Sequence, residues 1–388
     1  MNGEISCVYG FEYPARTLTS LASESDDITF FIGTQSLRQK NKVFKIDYDE
    51  ENNLITPIIY NHDVGEIWHI SSSPFDKDLL GTCYNQILEN DITFNVSSIW
   101  RLQENIKYNE ELDSSEQSSS NLLHLTSIRN PNESNQNLET ICMIWHPSGS
   151  TSQVITLSYD SIYLWDLNVS DSSTKLIAST IVESKSPPEI KTGRWNSNLD
   201  YNQMATVNGV YVRGWDLRTM KQTFLLDAGP NNTLRNVDFN ANRSHVLATC
   251  GDDAKIRFWD ARKPGSDPLL TLCDHTHWIW SVRFNPFHDQ LVLSSGSDAR
   301  VMLTRVASIS SEAVLLLNND QSSPSDNKSG NPPTTQDCVV KKFDEEHEDS
   351  VYASEWSASD PWHFASLSYD GRFCVNKVPK SEKYRIIL

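Results

Sequence analysis

The chain has 388 residues, more than one compact domain usually contains, so we expect either two domains or one closed architecture built from repeats. Its formal net charge of −18 disfavours nucleic acid or an anionic membrane as the main partner, because a polyphosphate surface would repel the protein. Seven cysteines without C-x-x-C spacing indicate reduced thiols rather than a disulfide framework or a zinc site. The sequence has no secretory signal and no run of about 18 apolar residues, so we expect neither secretion nor membrane insertion.

Segments that end in tryptophan recur along the chain. They are SSIWR (97–101), IYLWD (162–166), VRGWD (212–216) and IRFWD (256–260). Their tryptophans are 65, 50 and 44 residues apart, which approaches the period of roughly 40 to 45 residues for one blade of a β-propeller.

Three degenerate copies extend this series. Asp253 lies six residues before Trp259, and we call the position of the repeated tryptophan the column. Asp298 lies six residues before Thr304 and Asp370 six residues before Asn376, which places Thr304 and Asn376 in this column. Near the start, KVFKID (42–47) places Ile46 in the same column. The alignment therefore predicts seven repeat units.

Each unit combines several short strands. An early strand with alternating hydrophobicity ends in an aromatic and a turn residue, as in EIWHISSSP and IWSVRFNP, and a strand of small residues follows, as in LATCGDD. Strands separated by Pro/Asn and Asp/Gly turns are typical of four-stranded propeller blades. The sequence thus predicts an all-β, seven-bladed WD40 β-propeller, with Trp165, Trp215 and Trp259 as core residues between blades.

Histidines before blades and aspartates in tight turns form a second repeated pattern. We expect them to build buried networks that tie the loop before a blade to its turn. The separations of these histidines, 213 and 72 residues, place them in different blades and disfavour a shared metal or general-base site. The residues concerned are His62, His275, His347, Asp253, Asp298 and Asp370.

Residues 1–388 are expected to form one propeller. Its ring is closed by a strand within 5–13 that completes the last blade, built from 350–378, and so removes a sheet edge. Residues 103–137 and 318–338, and the shorter stretch 168–190, are rich in Ser, Asn and Asp, and we interpret them as disordered insertions between blades. Phosphorylation sites in these loops are an alternative to plain solvated spacers.

Catalytic and cofactor motifs are absent from the sequence. It lacks the phosphate-binding P-loop, the dinucleotide fingerprint, the G-x-S-x-G elbow and the H-E-x-x-H zinc motif. We therefore expect no enzyme activity, no cofactor and no metal.

A binding surface is predicted where one residue of each inner strand reaches the channel mouth. Trp, Tyr and Arg concentrate binding energy at interfaces, because they combine a large rigid area with a polar handle. Packing against a neighbouring loop is the alternative for each of them. The residues predicted there are Trp68, Arg235, Trp278, Trp280 and Tyr352.

Several longer strings resemble one family. They include GTQSL (33–37), GEIWHIS (65–71), CGDDAKIRFWDAR (250–262), HDQLVLSSGSDARV (288–301) and SASDPWHFASLSYDGR (357–372). They look like the WD-repeat proteins that interact with the EARP and GARP tethering complexes. The resemblance implies a cytosolic scaffold that binds tethering-complex subunits. A monomer is the default expectation for a closed propeller. It further implies recruitment to the trans-Golgi network and endosomes, with roles in endosome-to-Golgi retrieval, endosomal recycling and dense-core granule biogenesis. It assigns no binding residues.

A second function is suggested by two W-D-x-R motifs. Arg218 and Arg262 follow the Trp-Asp pairs of consecutive units, a pattern similar to that of WD-repeat substrate receptors of cullin-RING ubiquitin ligases. In such receptors the arginine meets an acidic groove of the adaptor on the bottom face. The alternative is that each arginine braces the turn to the next strand.

Overall fold

The computed structural model describes residues 6–37, 40–87, 93–103, 120–129, 139–183, 189–198, 201–311 and 337–388. Their regular secondary structure is almost entirely β-strand, with a helix, α1 (Lys380–Ile387), close to the C-terminus. In the described residues no helix is long and apolar enough to cross a membrane. All seven cysteines are free.

The described strands form seven antiparallel groups of four, which we number as blades in chain order. The chain first forms β1 (Cys7–Gly10); blade 1 then contains β2 (Ala15–Ser20), β3 (Ile28–Thr34), β4 (Asn41–Asp49) and β5 (Leu54–His62). Blade 2 contains β6 (Glu66–Ser72), β7 (Leu79–Ile87), β8 (Thr93–Gln103) and β9 (Ser120–Ile128). Blade 3 contains β10 (Thr140–Trp145), β11 (Gln153–Ser158), β12 (Ser161–Asn168) and β13 (Ser173–Ile181). Blade 4 contains β14 (Ile190–Trp195), β15 (Gln203–Asn208), β16 (Tyr211–Asp216) and β17 (Lys221–Asp227). Blade 5 contains β18 (Leu234–Phe239), β19 (Val246–Gly251), β20 (Ile256–Asp260) and β21 (Leu270–Leu272). Blade 6 contains β22 (Ile279–Phe284), β23 (Leu291–Gly296), β24 (Val301–Arg305) and β25 (Cys338–Phe343). Blade 7 contains β26 (Val351–Trp356), β27 (His363–Ser368), β28 (Arg372–Lys377) and, from the other end of the chain, β1.

The blades close into a ring. The inner strand of each blade contacts the inner strands of the blades before and after it, and the contact between β2 and β26 joins the first blade to the last. Strand β1 pairs antiparallel with β28, from Cys7 opposite Val375 to Gly10 opposite Arg372. This pairing confirms the predicted closure of the propeller by an N-terminal strand.

Blades 1 and 2 are also joined at their outer edges. Strands β5 and β9 pair in parallel, with Tyr60 opposite Ser120 and Asn61 opposite Asn121. The pairing covers part of two strand edges, which would otherwise offer free backbone groups to another chain.

The predicted insertions contain strands that the sequence analysis missed. β9 lies inside 103–137, β13 lies inside 168–190, and β25 begins at Cys338, the last residue of 318–338. The interpretation as disordered loops is therefore wrong for these residues. Along β13 exposed residues alternate with half-buried ones, so an outermost strand has the polar composition of a loop while its backbone pairs with the blade. The remaining residues of the two long insertions, apart from 103, 129 and 337, lie outside the described residues.

The repeated column occupies equivalent positions in all seven described blades. Trp259 lies opposite Leu247 in the register of β19 and β20, Thr304 opposite Val292, and Asn376 opposite Phe364. Ile46 in blade 1 lies opposite Phe30. The alignment of strong and degenerate copies is therefore confirmed by the strand pairing.

The column tryptophans lie buried between blades. Trp165, Trp215 and Trp259 pack into the apolar clusters of the ring. Each indole Nε1–H donates to a buried threonine of the preceding strand at 2.8 to 3.0 Å: Thr156, Thr206 and Thr249, respectively. A buried N–H without a partner costs free energy, so these threonines satisfy the polar edge of a core residue.

Buried histidines contact the second-strand position that carries Thr156, Thr206 or Thr249 in blades 3 to 5, and they connect this position to the loops in other blades. In blade 6, Nδ1 of His275 lies 3.0 Å from Asp298 and its Nε2 lies 2.9 Å from Ser294. Burial raises the pKa of Asp298, but hydrogen bonds from His275 and from the Thr276 N–H outweigh it, and the pKa lies below its usual value.

The other two histidines use different partners. His347 contacts Ser366 and Ser368, and the Ser368 hydroxyl donates to Asp370, so histidine and aspartate are linked through a serine. The ring nitrogens of His62 contact the Gly65 carbonyl and the Thr82 hydroxyl instead of an aspartate.

Asp253 does not take part in a histidine network. It pairs at 2.5 Å with Arg257, four residues further along the same hairpin. The expected histidine–aspartate network is therefore wrong for Asp253 and His62, because in each case a neighbour within the chain satisfies the polar group instead.

Candidate protein-binding surface

Each inner strand carries a β-bulge near its first residue. In β2, Ala15 lies opposite Thr34 and Thr17 opposite Gly33, so Arg16 is an extra residue without a cross-strand partner. A β-bulge of this kind turns one side chain away from the regular alternation. The bulged residues, in blade order, are Arg16, Trp68, Ile141, Lys191, Arg235, Trp280 and Tyr352.

The bulges place these side chains at one end of the channel. In every inner strand the residue before the bulge is buried, whereas the bulged residue is half-buried or exposed. The tight turns between the second and third strands lie at the same end, as the 2.6 Å hydrogen bond from Trp280 Nε1 to the Ser297 hydroxyl shows. The propeller therefore presents one bulged side chain per blade at this mouth of the channel.

Arg16 lies among three aromatic rings from other blades. Its guanidinium carbon is 3.9 Å from the ring centroid of Tyr352, 5.5 Å from that of Trp280 and 5.6 Å from that of Trp68. Trp280 and Tyr352 also contact each other, with centroids 4.7 Å apart. Cation–π attraction favours such an arrangement of a guanidinium with aromatic faces.

A second arginine lies beside the first. The Arg235 guanidinium is 4.4 Å from the centroid of Trp280 and 5.2 Å from that of Trp278, and its Nε donates to Asp252 at 2.5 Å. Trp68 and Trp278 are 45 % and 42 % exposed, so large aromatic faces remain in contact with solvent. We call Arg16, Trp68, Arg235, Trp278, Trp280 and Tyr352 the mouth cluster.

The structure brings together all five residues that the sequence analysis placed at the channel mouth, and it adds Arg16. Arg16 was missed because β2, unlike the other six inner strands, contains no aromatic residue. Its place directly after the apolar residue Ala15 was the available signal. Tyr369, whose ring lies 5.8 Å from that of Tyr352, was missed because it belongs to a turn rather than a strand.

Arg218 and Arg262 lie at the opposite end of the propeller. They follow the third strands β16 and β20, which run in the same direction as the inner strands and so end away from the bulges. Each pairs with the aspartate two residues earlier: Arg218 with Asp216, and Arg262 with Asp260 at 2.8 Å. The side chains remain 70 % and 61 % exposed. They brace their turns and are still accessible to a partner.

The channel contains a charged network below the mouth cluster. Arg194, Asp238, Arg283 and Glu355 come from four consecutive blades and line a cavity of about 330 Å³. Arg194 Nε donates to Asp238 at 2.8 Å, and Arg283 Nε donates to Glu355 at 3.0 Å. Burial raises the pKa of Asp238, partly offset by the two arginines. Because the positive and negative groups are paired with each other, the network links blades across the channel.

Two groups of potential metal ligands occur in the described residues. In the group Glu346, His347 and Cys374, serine hydroxyls engage both ring nitrogens of His347. In the group Glu50, Asp360 and His363, the carboxylates lie at opposite nitrogens of the ring. In each group one ligand atom of every residue lies within 4.8 Å of the others, and the ring nitrogens of both histidines contact serine hydroxyls or carboxylates.

The closed ring of four-stranded blades, with repeated Trp–Thr contacts and bulged inner strands, defines a WD-repeat β-propeller. A sequence profile of the EIPR1 β-propeller family matches residues 3–304. The chain is 41 % identical, over the full length of both proteins, to "EARP and GARP complex-interacting protein 1" of Macaca fascicularis and of Homo sapiens. It is equally similar, again over both full lengths, to the "EARP-interacting protein homolog" of Gekko japonicus. The chain therefore belongs to the EIPR1 β-propeller family.

Proposed function

We propose that this chain is a non-catalytic scaffold that binds the EARP and GARP vesicle-tethering complexes through the mouth cluster. The names of its full-length relatives support the choice of partner. In this proposal the monomeric chain acts from the cytoplasm and is recruited by its partners to the trans-Golgi network and endosomes. It would there support endosome-to-Golgi retrieval, endosomal recycling and dense-core vesicle biogenesis.

The observation that carries the proposal is the exposure of large aromatic faces at the mouth. Trp68 and Trp278 are nearly half exposed, although the other described column and inner-strand tryptophans are buried or half-buried. Removing such aromatic area from water on binding gives a large favourable free energy, and neighbouring arginines add polar contacts. This end of the ring thus has the composition of a protein interface core.

The test is capture of purified EARP and GARP complexes by the tagged chain. We expect a Trp68→Ala, Trp280→Ala, Tyr352→Ala triple variant to lose binding while its thermal unfolding stays cooperative. Phe287→Ala is the matched control, because this aromatic residue is 48 % exposed but lies in the turn at the opposite end. Binding by a folded triple variant at the wild-type level would refute the mouth cluster as the site.

A second candidate function rests on the exposed arginines at the other end. Arg218 and Arg262 present guanidinium groups that fit an acidic groove, as in an adaptor of a cullin-RING ubiquitin ligase. An Arg218→Ala, Arg262→Ala double variant should then lose capture of the ligase adaptor and retain capture of the tethering complexes. Loss of the tethering complexes by a folded double variant would instead assign them to this face.

A further inference from the structure

Arg16 has no counter-charge among the described residues. Its contacts there are the three aromatic rings of the mouth cluster, and they include neither a carboxylate nor a hydrogen-bond acceptor. Burial lowers the pKa of Arg16, yet a guanidinium stays protonated at neutral pH. The half-buried side chain therefore keeps a positive charge, and its guanidinium N–H groups donate to none of the residues that the structure describes.

Several other buried or half-buried arginines of the described residues have a polar partner, which for Arg213 is the Gln222 amide oxygen at 2.7 Å. Arg194, Arg257 and Arg283 pair with carboxylates, and Arg235, the second arginine of the mouth cluster, is neutralised by Asp252. The mouth cluster thus carries one uncompensated positive charge in a protein whose net charge is −18. Leaving a partly buried charge unpaired costs free energy, and cation–π attraction offsets only part of that cost.

The surroundings of Arg16 define what can reach it. Its side chain is partly covered by three aromatic rings, whereas Trp68 and Trp278 are 45 % and 42 % exposed. A narrow group, such as one side chain or a chain end, reaches a partly covered guanidinium between rings more readily than a flat folded surface does. A carboxylate matches the planar fork of the guanidinium in a bidentate pair, and the flanking rings favour an apolar neighbour beside it.

We propose that Arg16 receives a carboxylate from an extended segment of the partner, next to an apolar or aromatic residue of that segment that packs on the rings of the mouth cluster. This inference rests on the proposed function of the mouth cluster and specifies the chemistry of its ligand. The carboxylate is that of an Asp or Glu side chain or of a chain terminus.

The first experiment does not depend on the identity of the partner. Short synthetic peptides with randomised sequences, made with free or amidated C-termini, are tested for binding to the full chain. We expect the wild type to select peptides with Asp, Glu or a free C-terminus beside an aromatic or aliphatic residue. The amidated series distinguishes a side-chain carboxylate from a terminal one.

Lys191 provides a matched control for Arg16. It occupies the same bulge position in blade 4 and carries the same charge, but it pairs with Glu189 and lies outside the mouth cluster. Arg16→Gln should weaken the selected peptides at least about tenfold, and Lys191→Gln should leave them unchanged. Arg16→Lys, which retains the charge but not the planar guanidinium, should give an intermediate loss of affinity for the peptides. It also serves as a second variant in case Arg16→Gln disturbs the packing of the mouth cluster.

The second experiment measures binding of the same variants to purified EARP complex. Peptide selection that depends on Arg16, without binding of EARP, would overturn the partner and retain the carboxylate site. Loss of EARP binding in the Trp68, Trp280, Tyr352 variant but wild-type binding by Arg16→Gln would retain the surface and overturn the carboxylate inference. Failure of the wild type to select peptides with Asp, Glu or a free C-terminus would also overturn the carboxylate inference.

Discussion

The guanidinium of Arg16 lies 3.9 Å from the centroid of the Tyr352 ring, across the junction between the first and last blades. The two residues are more than 330 positions apart in sequence, and each is the bulged residue of its inner strand. The contact therefore exists only when the ring is closed. It couples the geometry of the mouth cluster to closure of the propeller.

Substitution of Tyr352 tests the role of this ring. Tyr352→Phe keeps the aromatic face and should bind the tethering complex like the wild type. Tyr352→Leu removes the cation–π contact and should weaken binding by about 1 kcal/mol, or roughly fivefold. Biolayer interferometry with purified complex distinguishes the two; equal affinities for both variants would contradict a role of the aromatic face.

Removal of the threonine under a core tryptophan should destabilise the propeller. Thr249→Val keeps the shape of the side chain but leaves the Trp259 Nε1–H without its acceptor, which costs about 1 to 3 kcal/mol. Thr271→Val, on the outer strand of the same blade where residue 271 is exposed, serves as the control and should change stability little. Urea unfolding of both variants provides the measurement, and a Thr249 variant as stable as the control would contradict the prediction.

Buried histidines should make the fold sensitive to mild acid. Burial lowers the pKa of His62 and of His347 from 6.5 to about 4. Between pH 6.5 and 4 the unfolded chain binds protons that the folded chain excludes. As the pH falls through that interval, each of these histidines therefore lowers the free energy of unfolding by about 1.4 kcal/mol per pH unit. Above pH 6.5 it has no such effect.

The matched variants for this pH dependence are His347→Gln and His277→Gln. Residue 277 is exposed, so its replacement should leave the pH profile unchanged. His347→Gln should flatten the fall in stability between pH 6.5 and 4, as measured by denaturant unfolding at several pH values. A profile as steep as that of the wild type would mean that His347 is not excluded from protonation in the fold.

Deletion of residues 1–10 should open the ring. It removes β1 and leaves the edge of β28 unpaired, so we expect a lower melting temperature and association through the free edge. A deletion of residues 1–5 alone keeps β1 and is the control. Thermal unfolding and size-exclusion chromatography report both effects; an unchanged melting temperature and a monomeric elution would show that β1 does not hold the last blade.

The charged network in the channel should also contribute to stability. Asp238→Asn weakens the hydrogen bond from Arg194 to its nearest carboxylate in the channel. Because the Arg194 side chain is 38 % exposed, solvent screens the pair and we expect a loss of about 1 to 2 kcal/mol. Asp63→Asn is a control, because the pair of Asp63 with Lys40 is exposed. Equal unfolding free energies of the two variants would show that the network does not link the blades.

The sequence alone determined the repeat. The period of the tryptophan and aspartate columns gave seven units, and the extra N-terminal strand followed from the need to cover a sheet edge, because blade cores and tight turns impose local residue types. Composition could not separate outer strands from loops, since strands such as β13 are half solvated and use the same residues.

Tertiary structure decided the site. Four members of the mouth cluster followed from their inner-strand position, with Trp278 one step further out. Arg16 came from a strand without an aromatic residue, and only ring closure brings it to Tyr352 and Trp280. Hydrogen-bond partners were likewise decided in three dimensions, as Arg283 shows by pairing with Glu355 of the next blade. Periodicity reports which residues face a core, whereas pairing between distant side chains depends on distances that no local pattern encodes.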